Sequence, residues 1–158
     1  MENENENGGR VAALETAEQN TLTAEDILEM YAEGERDFSG VSIVNANFYG
    51  ADLRGANFSS AELSNADFSF ADLREVDFEG ATLENADFTG ANLRGANLES
   101  TNLVNADFIS ANLSDTNCSY ANFEGADLNF ANLENANMLT TYLSGARIGI
   151  GNTCRIIR

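Results

Sequence analysis

The chain has no proline, no histidine, no tryptophan and no lysine, and all 8 of its basic residues are Arg. Each absence closes a route. Without His, neither a Ser/His/Asp nor a Cys/His nucleophilic arrangement can be assembled. With only 2 Cys, a zinc site of the Cys/His type lacks ligands. There is no P-loop and no G-x-G-x-x-G behind a strand. No apolar run approaches the ~18 residues of a membrane-spanning helix. The missing Pro leaves every backbone N–H free to enter a ladder. The expectation is a protein that is not an enzyme, with no catalytic residues and no cofactor or metal site.

What is present is a period of five. A large apolar residue recurs at 23 consecutive positions, from Phe38, Ile43, Phe48 and Leu53 to Met138, Leu143 and Ile148, with no insertion. Two residues before each lies a small residue, usually Ala, and one residue before lies Asp or Asn in most units. Two residues after it, Gly or Asn is common, as at Gly40, Asn45, Gly50, Gly55 and Asn65, which suits corners that need positive φ. Five fits neither a 3.6-residue helix nor a two-residue strand. A strict repeat implies a stacked, quasi-one-dimensional architecture in which each unit buries its Leu or Phe against its neighbours.

The unit A-(D/N)-(L/F)-x-x, repeated in register over 36–150, resembles the pentapeptide repeat family. That resemblance implies an all-β fold, a right-handed quadrilateral β-helix with four pentapeptides per square coil. Positions 20 apart then stack at ~4.8 Å, and five to six coils make a rod on the order of 27 Å long. The predicted core ladders include Phe48, Phe68, Phe88 and Phe108 on one wall and Leu53, Leu73, Leu93 and Leu113 on another, with Phe38, Phe58 and Phe78 opposite the first. Beyond Leu93 the regularity weakens: Leu98, Cys118, Leu128 and Met138 stand where Phe is expected.

Four segments follow. Residues 1–21 read as an acidic, largely flexible segment containing at most a short helix over Val11–Glu18. Residues 22–35 read as a helical cap: Thr23 is the N-cap, Leu22 and Ile27 form a staple, and Gly34 stops the helix. Its Ile27, Leu28 and Tyr31 are expected on the first coil, which would otherwise expose an apolar layer and unpaired backbone groups. This stretch resembles the leader that precedes the repeats in many cyanobacterial members. Residues 36–150 are the repeats. Residues 151–158 are a tail; from Gly145 on the chain leaves the pattern, and Ile148, Ile150, Ile156 and Ile157 make it apolar, so it is expected to cap the last coil or to join two subunits, the chain being a monomer or a homodimer through a coil end. Cys118 reads as a buried thiol, and a bridge to Cys154 requires the tail to fold back. The acidic start lacks the apolar stretch of a secretory signal, so the expected location is cytoplasmic.

Net charge is −18. Residues 1–35 hold ten acids and one Arg, residues 36–150 hold sixteen acids and five Arg, and the last eight hold two Arg. Direct nucleic-acid binding is disfavoured, because phosphate is repelled. Two surface ladders follow from 20-residue stacking. Arg54, Arg74 and Arg94 share a face, with Asp52 and Asp72 beside the first two, and read as local charge compensation. Asp67, Asp87, Asp107 and Asp127 share another, each in a position to support its own turn. Near them lie the outward Tyr49, Phe70, Ile109 and Phe130, so this face is the candidate surface for an unknown protein partner. The functional expectation is a non-catalytic rigid scaffold or protein-interaction module, with a regulatory role in view. The alternative, implied by family members that imitate duplex DNA to bind DNA gyrase, is a DNA mimic for gyrase or another nucleic-acid-binding protein. The unbroken repeats and helical leader depart from the loop-bearing and the dimeric mimics respectively.

Overall fold

The structure, a computed structural model, describes residues 22–149. The flexible segment and helix expected within 1–21, the tail 151–158 and Cys154 lie outside the described residues. The described chain opens with one helix, α1 (Ala24–Ala32), and continues as a single rod of square coils.

Helix α1 begins where Thr23 closes a capping box. Its hydroxyl accepts the Asp26 N–H at 3.2 Å, and the Asp26 carboxylate accepts the Thr23 N–H at 2.8 Å. Ile27 and Met30, three residues apart on one stripe, are buried in the same apolar cluster as Phe38 and Phe58. Leu28 and Tyr31, expected on the first coil, are half-buried and pack against the same cluster, and Met30 is buried beside them. Tyr31 serves as a polar strut: its hydroxyl donates to the Arg54 carbonyl at 2.8 Å, and the Arg36 guanidinium lies 3.7 Å over its ring.

The rod is built from parallel pairings between residues 20 apart, running from Asp37↔Asn57 to Asp127↔Arg147. Each coil therefore has four walls of five residues. Wall one points Phe38, Phe58, Phe78, Leu98, Cys118 and Met138 inward, and wall two Ile43, Leu63, Leu83, Leu103, Phe123 and Leu143. Wall three points in Phe48, Phe68, Phe88, Phe108 and Leu128, and wall four Leu53, Leu73, Leu93, Leu113 and Leu133. Around one wall the backbone donors are used in order. Asp67 N–H donates down to the Ala46 carbonyl (2.8 Å), Phe68 N–H up to Asp87 (2.7 Å), Phe70 N–H up to Thr89 (2.9 Å), and Ala71 N–H back to Phe68 (3.0 Å), closing the turn. Every corner from 40 to 145 has positive φ, and fourteen of them carry a side chain.

Inside, two Phe columns on opposite walls interdigitate. Phe48, Phe68, Phe88 and Phe108 stack at 5.0, 5.2 and 4.8 Å. Phe38, Phe58 and Phe78 stack at 5.4 and 5.7 Å, and Phe68 meets Phe78 across the bore at 5.6 Å. Where wall one shrinks to Cys118, wall two supplies Phe123 in place of Leu, with its ring 5.4 Å from Phe108, so the bore stays filled. Thr101 and Thr141 replace Ala at the small position, and their hydroxyls donate to the Phe78 and Cys118 carbonyls at 2.8 and 2.9 Å. Burial holds the Cys118 thiol up at about 11, an inert state. No helix among the described residues is long and apolar enough to cross a membrane.

Phe68 lies mid-column with no exposure. Phe68→Ala is expected to cost about 3–5 kcal/mol in urea unfolding. A loss under about 1 kcal/mol would show that the interlocked rings do not carry the core.

Candidate functional site

The residue before each inward side chain decides what a wall shows to solvent. Its side-chain oxygen accepts the N–H two residues on: Asn57 from Ser59 at 2.9 Å, Asp87 from Thr89 at 2.8 Å, Asn132 from Glu134 at 3.0 Å. Asp and Asn do this equally well. They differ in what they do between coils. On wall one Asn57 donates to Asp37 (3.2 Å), Asn97 to Asp77 (3.1 Å), and Asn117 to Asn97 (3.3 Å). On wall four Asn112 donates to Asn92 at 3.2 Å. The walls are thereby laced by amide ladders.

Wall three is not laced. Asp67, Asp87, Asp107 and Asp127 pair directly in successive coils, and no amide donor stands between them. Asp67, Asp87 and Asp107 each use Oδ1 for their own turn, and Oδ2 has no partner among the described residues. Asp67 also takes the Ser69 hydroxyl on Oδ1. Like charges directly opposite in a sheet are destabilising. The expected fourth member differs: Asp127 is buried, receives Arg147 at 2.6 Å and both Asn129 donors, and is not offered to a partner. Its enclosure follows from the cation one coil on, at the position that continues the Asp column.

Beside this row runs a corner column of Gly50, Phe70, Gly90, Ser110 and Phe130. Phe70 and Phe130 are 60% and 70% exposed, at φ of 58° and 61°. Positive φ costs an L-residue on the order of 1 kcal/mol, and an exposed ring recovers little of it. Phe70 is seated all the same. Tyr49 meets it edge-on at 5.7 Å, and a Cβ on Gly90 would come within 2.8 Å of its ring. Ile109, expected with this group, is half-buried. A second exposed apolar group, Tyr120, Leu139 and Tyr142, lies near the corner between walls one and two, and sequence reasoning missed it. Its signal was there: apolar residues in outward phase near a single corner.

Wall four carries the Arg ladder. Arg54 and Arg74 each grip the Asp two residues back at 2.6 Å, whereas Arg94, beside Asn92, reaches Asp115 at 3.1 Å. The Arg74 hydrogen bonds hold the Asp72 carboxyl below its ordinary range, against desolvation. A folded pKa below the unfolded one gives stability above about pH 4 that fades as pH falls through the folded value. The pair is partly exposed, so Asp72→Asn is expected to cost under about 1 kcal/mol at pH 7. The difference from wild type should shrink in urea titrations as pH falls below the ordinary carboxylate range. An undiminished difference at low pH would mean that the charge pair is not its source.

The family description Pentapeptide repeats matches in 8 copies at residues 37–69, 61–99, 71–109, 91–129 and 121–148. Among solved structures, a pentapeptide repeat protein of the Arabidopsis thaliana thylakoid lumen is 38% identical with a TM-score of 0.57, covering 58% of this chain and 64% of its own. The chain thus spans less than two thirds of that relative. Rfr23, a pentapeptide repeat protein from the cyanobacterium Cyanothece 51142, is 23% identical with a TM-score of 0.63, covering 81% of this chain and 97% of its own. QnrB1, a plasmid-mediated fluoroquinolone resistance protein, is 20% identical with a TM-score of 0.32, covering 68% of this chain and 82% of its own. Curated proteins give no match. With repeats matched over 37–148 and square coils of 20 residues, the chain belongs to the pentapeptide repeat family, whose fold is the right-handed quadrilateral β-helix.

Proposed function

We propose that this chain is a non-catalytic interaction rod that docks a protein partner on wall three. One observation carries the reading: Phe70 and Phe130 stand exposed at positive-φ corners beside the unlaced Asp67, Asp87 and Asp107. Neither feature serves the fold, because Gly at the corner and Asn in the row would each be less costly. Exposed aromatic groups beside charge also suit recognition. Affinity capture with the full chain from its native host, followed by reconstitution of the retained protein, tests this. A partner binding saturably in defined stoichiometry is expected. Nothing retained above a bait-free control overturns the reading.

A second reading, a DNA mimic for gyrase, draws on the net charge of −18 and on an acidic row along the rod. Inhibition of gyrase supercoiling at micromolar protein would support it, and no effect removes it.

Within the same reading, α1 is the plug that closes the first coil. Ile27 is fully buried and Glu29 exposed on this helix. Ile27→Asp is expected to lose about 3 kcal/mol or more, or to aggregate, while Glu29→Ala stays within about 0.5 kcal/mol. Equal stability of the two variants rules the plug out.

A further inference from the structure

We propose that the partner surface on wall three receives a basic amphipathic α-helix, laid parallel to the rod axis. The inference rests on the interaction reading above and specifies its occupant.

Strand addition to this wall is closed. Its backbone donors are already spent on the coils above and below, as at Asp67, Phe68 and Phe70. A partner must therefore bind through side chains. The available Oδ2 atoms of Asp67, Asp87 and Asp107 span two coil rises, about 9.6 Å. A helix with cations at i, i+4 and i+7 spans about 10.5 Å, a match to about 1 Å. An extended segment with cations at alternate residues spans about 13 Å and falls out of register.

The width agrees as well. The Asp row and the aromatic corner are three residues apart, at most about 10 Å, which is close to a helix diameter. Between them lies a low row, with Ser69 buried and Thr89, Ile109 and Asn129 half-buried. A helix resting on that row meets carboxylates on one flank and Phe70 and Phe130 on the other. Phe70 and Phe130 are three coils apart, about 14 Å, or roughly ten residues of helix. The cations would also relieve the Asp67↔Asp87 and Asp87↔Asp107 repulsions along this wall. Nucleic acid is repelled by the same carboxylates.

The test uses the full chain and three fluorescent peptides of one length: a Leu/Lys amphipathic helix, its Leu/Glu counterpart, and a Leu/Lys peptide interrupted by Pro. Anisotropy is read at about 50 and about 300 mM salt. The Leu/Lys helix should bind, more weakly at high salt. The Leu/Glu helix should not bind, and the Pro-interrupted peptide should bind at least about 10-fold more weakly. Asp87→Asn with Asp107→Asn should weaken binding about 10-fold, and Phe70→Ser with Phe130→Ser about 5-fold. Asp77→Asn with Glu79→Gln on wall one should change it less than about twofold. Circular dichroism confirms that each variant keeps the rod.

No binding of the Leu/Lys helix overturns the proposal. So does equal binding of the Pro-interrupted peptide, or wild-type affinity in the wall-three variants. A captured partner that binds those variants unchanged sinks wall three as the docking site, helix included, while leaving the non-catalytic interaction role in place.

Discussion

One hydrogen bond inside most pentapeptides supports the stacking. Coil-to-coil pairing and turn closure use four of the five backbone donors, and the fifth points at no carbonyl. The Asp or Asn before the inward residue supplies its acceptor, from Asp37 on Ser39 to Asn137 on Leu139. A buried or half-buried N–H left unpaired would cost about 1–3 kcal/mol at each unit, more than a narrow column could sustain. The short polar side chain is therefore as much a part of the fold as the Leu or Phe that follows it.

That shared duty leaves a choice open. Asn and Asp both close the turn, but only Asn can also donate to the coil beside it, as Asn112 does to Asn92. Walls one and four use the second option widely. Wall three declines it through Asp67, Asp87 and Asp107 and keeps three like charges in file. The difference between walls is thus one of surface chemistry, made at positions where the backbone is indifferent.

Much of this was open to sequence reasoning. The five-residue period placed the inward residues from Phe38 to Leu133, all now buried, and stacking by 20 aligned the Asp and Arg rows. Thr23 and Gly34 marked the helix because capping is local chemistry. The misses were contacts between coils. Nothing in a periodic pattern says that Arg147 turns onto Asp127, that Arg94 leaves Asn92 for Asp115, or that Phe123 fills the space beside Cys118. Met30 was legible as part of the helix's apolar face, but not as the residue buried on the coil, because a helical stripe can rotate by one residue either way. The exposed Tyr120, Leu139 and Tyr142 stand at three different offsets of the repeat, so no single column marks them as a group.

The positive-φ corner recurs at every fifth residue without exception from Gly40 to Gly145, so chain length and compass bearing are locked together. Phe70 and Phe130 share an edge only because 60 residues, a whole number of coils, separate them. A single pentapeptide gained or lost between them would keep the turns and the backbone pairing, yet swing all that follows by a quarter circle and bring Leu columns into line with Phe columns. Phe130 would then face a neighbouring wall. In such a rod, evolution can redraw a surface by counting residues rather than by replacing them.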